Sequence, residues 1–151
     1  MMSDIVLLNQ NWNNTEEALL KFGKYFIESG FAKESFTNAL LEREKSFPTG
    51  LQFSDYGVAI PHTDPEYVTQ TAIGIATLKE PIQFIQMGTS DQVVNVKLII
   101  MLAIKEAHSQ VEMLQKLMAL LQDENIVRKL MQFSVGEEKK IEDLLKKNNI
   151  L

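Results

Sequence analysis

Two histidines, His62 and His108, are the side chains in this 151-residue sequence whose ordinary titration range makes them nucleophiles near neutral pH. The chain contains no cysteine, which excludes disulfides, thiolate metal sites and thiol catalysis and fits a reducing compartment. His62 follows Pro61 at the end of the short apolar run Gly57-Val58-Ala59-Ile60. Proline fixes its own φ and biases Ile60 toward extended geometry, so His62 is delivered with little backbone freedom. Thr63, Asp64 and Pro65 then form a turn-prone set that should keep the site near the surface, outside the core. His108 precedes Ser109-Gln110-Val111-Glu112, a capping-box pattern that predicts a helix opening at Ser109. On that reading His108 stands beside a helix N-terminus, whose free N–H groups and dipole favour anions. A strand-end histidine and a second one at an anion-friendly helix start suit phosphoryl transfer. A neutral imidazole attacks phosphorus and the phosphohistidine remains a good donor, while nearby donors stabilise charge on the moving oxygens. Two other readings of these residues stay open. Either histidine could be structural or solvated, and His62, Asp64 and His108 could form a metal-hydrolase site. The His62-Asp64 spacing and the lack of a helix-spaced histidine pair weigh against the metal.

The elements that must position these residues follow from periodicity. Asn14-Thr15-Glu16-Glu17 is an N-cap with an acid three residues on, and Leu19, Phe22, Phe26 and Ile27 then share a helical stripe that ends at Gly30. A second helix is predicted from about Lys33 to Ser46, broken by Phe47-Pro48-Thr49-Gly50. Strands are predicted at Gly57–Ile60, Thr71–Leu78, Pro81–Met87 and Val93–Ile104. The last alternates at first and is then apolar at every position, as a strand entering the centre of a covered sheet must be. From Ser109 the helical period returns with Val111, Leu114, Leu117, Met118 and Leu121, and two shorter helices follow at about Glu124–Gln132 and Gly136–Lys147. Helices on both sides of a strand block imply an α/β layered domain, one unit over residues 1–151.

Bulk composition narrows the function classes. At 45% hydrophobic and 23% charged residues the chain matches a folded globular protein. The most apolar run, Val93 to Ile104, is interrupted by Asn95 and Lys97 and is too short for a membrane span, and no secretory signal pattern opens the sequence. A net charge of −5 without a basic, aromatic-interleaved cluster disfavours nucleic-acid binding.

Taken as a motif, Gly57-Val58-Ala59-Ile60-Pro61-His62 resembles the active-site signature of the mannitol/fructose-type enzyme IIA family of the bacterial sugar phosphotransferase system. Arg43-Glu44 upstream and Ala107-His108-Ser109 downstream, before a leucine-rich helix, extend the resemblance over about Phe36 to Leu121. Within that family, Leu41-Glu42-Arg43-Glu44, Phe47-Pro48-Thr49-Gly50-Leu51 and Ile60-Pro61-His62-Thr63-Asp64 are most similar to the galactitol-specific branch. Mannitol and fructose relatives usually carry glycine where this chain has Thr63, and their arginine-to-histidine spacing is shorter. The resemblance implies a mixed β-sheet flanked by helices on both faces and a cytoplasmic phosphocarrier. His62 would accept a phosphoryl group from phospho-HPr, by family through Nε2, and yield it to a cysteine of a cognate IIB protein. Uptake of a sugar alcohol, galactitol, through a membrane IIC would follow. The alternative is a regulatory IIA-like protein whose phosphorylation state controls partner binding. The resemblance also implies that His108 holds the phosphoryl oxygens or orients His62. Arg43 becomes a candidate phosphate contact, since a guanidinium matches two phosphate oxygens, with a helix salt bridge as its alternative. Thr49 is a candidate hydroxyl donor, with a turn or cap role as its alternative. Asp64 and Glu66 read as solvated or interface charges. No cofactor and no metal is called for.

Overall fold

Alternation of side chains along a pleated strand lets one sheet carry a core on each face, and the longest strands here are patterned for that. In the computed structural model, which describes residues 3–151, the elements run β1 (Ser3–Gln10), α1 (Thr15–Glu28), α2 (Phe36–Ser46), β2 (Gly50–Gln52), β3 (Gly57–Ala59), a 3₁₀ turn (Pro65–Tyr67), β4 (Ala72–Ile85), β5 (Val93–Ala103), α3 (Ala107–Leu121), α4 (Glu124–Gln132) and α5 (Glu138–Lys147). The strands form one five-stranded mixed sheet in the order β1-β4-β5-β3-β2. β1 lies parallel to β4, β4 antiparallel to β5, β3 parallel to β5, and β2 antiparallel to β3.

Two apolar layers sandwich this sheet. Ile73 and Ile75 of β4 and Leu98, Ile100 and Leu102 of β5 pack with Met113, Leu117, Val127, Leu130, Ile141 and Leu145 of the three C-terminal helices. Ala72 and Ala76 of β4 and Ile99 and Met101 of β5 pack with Leu19, Phe22, Phe26, Phe36 and Leu40 of α1 and α2. Gly74 is required on that second face, because a Cβ there would stand 2.6 Å from the Phe22 ring. The first half of β5 alternates exposed and buried, and from Leu98 every residue is buried, as its sequence predicts.

The differences from expectation lie at the joints. The two strands predicted at Thr71–Leu78 and Pro81–Met87 are one strand, β4, whose register with β5 shifts between Thr77 and Ile82; Pro81 sits in that irregularity, where no ladder donor is needed. β2, predicted as loop, exists through its pairing with β3. Helix α3 opens at Glu106 rather than Ser109, since the Thr71 hydroxyl accepts from the Lys105 N–H and ends the strand there, and the Gln110 N–H already reaches the Glu106 carbonyl. His108 therefore lies inside the first turn. The α3 stripe is also rotated from the expected one: Met113, Leu117, Leu120 and Leu121 are buried, while Val111 is 56% exposed.

Candidate functional site

A strand too short to hold itself must be held by its neighbours, and β3 is placed by contacts on both sides. Gly57 lets it approach β5 closely, because a Cβ at that position would meet the Asn95 carbonyl oxygen at 2.2 Å. Val58 and Ala59 then pair with Leu98 and Ile99. Beyond Ala59 the partners change. The Ile60 N–H donates to the Thr49 carbonyl, and the carbonyl of Pro61, a residue with no N–H to satisfy, accepts from Leu102 N–H at 3.0 Å. His62 forms an isolated parallel bridge with Leu102. The segment thus continues the line of β3 along β5 as far as the histidine.

His62 is only 7% exposed, which corrects the expectation that it stands outside the core. Its Nδ1 lies 2.8 Å from the Ile60 carbonyl oxygen. A carbonyl can only accept, so this bond requires the proton on Nδ1 and leaves the lone pair on Nε2. Burial pushes the His62 pKa below the usual histidine value. The Ile60 bond opposes this, the Arg43 charge adds to it and the Asp64 charge opposes it. The outcome is a neutral imidazole in a fixed tautomer.

Behind the histidine runs a series of hydrogen bonds. The Glu44 carboxylate accepts from the Thr49 N–H at 2.7 Å and from the Thr49 hydroxyl at 2.8 Å. The Thr49 carbonyl accepts from Ile60 N–H, and the Ile60 carbonyl accepts from His62. Thr49, itself buried, therefore spends its hydroxyl proton on Glu44, and the geometry supports its turn-holding role. Burial raises the Glu44 pKa, against the lowering effect of the two Thr49 bonds and the Arg43 charge.

Arg43 borders the same ground. Its Nη1 lies 3.1 Å from Asp64 Oδ1, and its guanidinium stacks over the exposed Phe47 ring at 5.3 Å. Its Nε is buried and, among the described residues, without a partner. Arg43, Phe47, Thr63 and Asp64 line one side of an open groove of about 430 Å³ that also includes Ser35, Asn38 and Tyr67.

His108 is 86% exposed at its side chain, with Nε2 3.0 Å from Glu112 Oε1. Among the described residues no hydrogen bond joins it to His62. The α3 residue that does reach the site is Gln110, whose side-chain amide donates to the Thr63 carbonyl at 2.9 Å. Sequence reasoning passed over Gln110 and read Asp64 as a solvated or interface charge, which its exposure agrees with, without finding its pairing with Arg43; neither interaction has a local signal, since each spans a long stretch of chain. Glu66 is exposed beside the site, as expected for a solvated charge. Among the described residues no group of histidines and carboxylates is arranged to hold a metal ion, and no helix is long and apolar enough to cross a membrane.

The chain matches known proteins over nearly its whole length. The family model described as "Phosphoenolpyruvate-dependent sugar phosphotransferase system, EIIA 2" covers residues 1–148. The chain is 30% identical over 114 residues to the galactitol-specific EIIA component of Escherichia coli K12, spanning 76% of this chain and 75% of that one. It is 29% identical over 136 residues to a mannitol-specific IIA component of Staphylococcus aureus, spanning 90% and 89%. Its fold superposes on the Escherichia coli mannitol IIA, solved in complex with phosphorylated IIB, with a TM-score of 0.73 at 26% identity and 94% of each chain covered. A mixed sheet between two helical layers, a strand-end histidine and this coverage agree, and the chain belongs to the EIIA type 2 family of phosphotransferase components of the phosphoenolpyruvate-dependent sugar phosphotransferase system.

Proposed function

We propose that this chain is a cytoplasmic phosphocarrier in which His62 accepts a phosphoryl group from phospho-HPr and passes it to a cognate IIB protein serving galactitol uptake. The observation that carries the reading is the 2.8 Å bond between His62 Nδ1 and the Ile60 carbonyl on a buried ring. Burial keeps the imidazole neutral, and the bond fixes the proton on Nδ1 so that the Nε2 lone pair is available. In the transfer, that lone pair forms a bond to phosphorus as the donor N–P bond breaks and its electron pair returns to the donor nitrogen. No carboxylate base is needed, because Nε2 carries no proton to remove. Catalysis then consists of positioning and charge stabilisation. Arg43 supplies the second part: its guanidinium has one protein hydrogen bond among the described residues, and its buried Nε lacks an acceptor. An unpaired buried donor costs about 1–3 kcal/mol, a cost that arriving phosphoryl oxygens would relieve. His108 has its Nε2 engaged by Glu112, so a donor from that nitrogen requires the pair to open. Galactitol rather than mannitol is favoured by Thr63-Asp64 and by the long Arg43-to-His62 spacing.

Incubation with phosphoenolpyruvate, enzyme I and HPr tests the acceptor. Acid-labile phosphate should map to His62 and vanish in His62→Ala, whose folding is checked by circular dichroism because the ring is buried. Label on His108 instead, or label persisting in the variant, overturns the assignment.

A further inference from the structure

Among the described residues, Asp64 is the charged side chain that both pairs with the Arg43 guanidinium and lies two positions from the histidine that would carry the phosphate. Its backbone has little freedom. Pro65 confines it to extended geometry, observed at φ −64°, ψ 153°, the Thr63 hydroxyl donates to its carbonyl at 2.9 Å, and the same carbonyl receives the Tyr67 N–H of the 3₁₀ turn. With the main chain pinned, the carboxylate stays next to Arg43, where Oδ1 accepts from Nη1 at 3.1 Å. Around His62 the two charges act in opposition, Arg43 lowering and Asp64 raising its proton affinity. At the imidazole, Asp64 therefore offsets part of the Arg43 charge.

A phosphoryl group on His62 changes that balance. It brings a charge of about −2 and three acceptor oxygens, and a guanidinium prefers such a group to a single exposed carboxylate. Asp64, 62% exposed at its side chain, then becomes a competitor for Arg43 and a like charge near the phosphate.

Resting on the acceptor role proposed above, we infer that Asp64 is a positioning residue that latches Arg43 and raises the phosphoryl-transfer potential of His62. It destabilises the phosphorylated state relative to the free one mainly by holding back the arginine, with direct repulsion of the dianion the smaller part. The moving group is PO₃⁻, bonded first to the HPr nitrogen, then to His62 Nε2, then to the IIB acceptor, with each leaving atom keeping its electron pair. Asp64 makes or breaks none of these bonds. Its effect falls on how far the first exchange runs forward and how readily the second one empties His62.

Equilibrium exchange between phospho-HPr and the chain, followed by phosphorus NMR of the two phosphohistidines, reads this directly. Asp64→Asn should shift the exchange constant toward phospho-His62 by about three- to tenfold, the scale of an exposed ion pair plus a neighbouring like charge. Onward transfer to IIB should slow by a similar factor. Asp64→Glu, which keeps the carboxylate, should stay within about twofold of the parent. In an Arg43→Met background the same Asp64→Asn change should lose most of its effect, the coupling expected of a residue acting through another. An unchanged or reversed exchange constant in Asp64→Asn, or an undiminished shift without Arg43, overturns the latch while phosphorylated His62 in the parent leaves the acceptor role standing. Absence of phosphate on His62 in the parent overturns both.

Discussion

At the scale of single residues, the site depends on keeping one imidazole neutral without removing it from reach. The cause is burial, helped by Arg43, against the Ile60 bond and Asp64. A histidine whose folded pKa lies below its unfolded value of about 6.5 binds fewer protons when folded. Stability is then undiminished above that value and is lost as pH falls from it toward the depressed folded pKa. Glu44 contributes the opposite slope: its raised pKa means that the folded chain binds the extra proton, so stability is lost as pH rises above the ordinary glutamate value of about 4.3. The two overlap, and only a difference isolates the histidine. We predict that urea unfolding at about pH 7.5 and about pH 5.5 will show a larger acid loss for the parent than for His62→Gln. Equal losses would mean that the imidazole titrates as freely folded as unfolded.

At the scale of elements, α2, β2 and β3 act as one unit through the Glu44–Thr49–Ile60–His62 series. Glutamine in place of Glu44 offers one acceptor oxygen where Thr49 needs two, so one buried donor goes unpaired. Glu44→Gln should lower stability by about 1–3 kcal/mol and slow phosphoryl acceptance, by letting Ile60 and the ring drift; denaturant midpoints and acceptance rates from phospho-HPr measure the two. Wild-type acceptance in a destabilised variant would confine Glu44 to holding the turn. The bonds of this series were not legible in the sequence, although His62 and the turn role of Thr49 were. The α1 cap at Asn14, whose side chain accepts from Glu17 N–H, the whole of α4 and the deepening burial of β5 were legible, because each is written as a local period or cap. β2 is three residues whose strand character comes from β3, and the α3 start was displaced by Thr71, thirty-odd positions upstream. The site divided the same way. His62 was found from Pro61 and the run before it, whereas Asp64 and Gln110 gained their roles from partners far along the chain.

At the scale of the whole molecule, parallel pairing of β3 with β5 brings both strand ends, and hence His62 and the start of α3, to one edge of the sheet. Crevices outside the carboxyl ends of parallel strands are where α/β folds place their ligands, and a phosphocarrier of the kind proposed would present that end of the sheet to two proteins in turn. Thr63 is 1% exposed, so its side chain does not itself meet a partner's surface. Nor is the stretch from Phe47 to Tyr56 a free loop, because it contains β2. Exposed Phe47 lies on the groove under Arg43 with Asp64, and Val111, also exposed and apolar, follows Gln110, the α3 residue bonded to Thr63. Exposed aromatic side chains at the centre of an interface carry a disproportionate share of its energy, and Phe47 also seats the guanidinium. HPr serves many IIA proteins and should depend less on this particular ring. We therefore predict that Phe47→Ser will leave folding stability within about 0.5 kcal/mol. It should reduce transfer to a galactitol-type IIB by about tenfold or more and acceptance from phospho-HPr by much less. Val111→Ser, which leaves Arg43 untouched, separates docking from positioning: a loss confined to the IIB step in both variants places the effect at the interface. An equal loss at the HPr, galactitol-type IIB and mannitol-type IIB steps in Phe47→Ser alone would assign the ring to holding Arg43, and partner selection would then have to reside elsewhere on that edge.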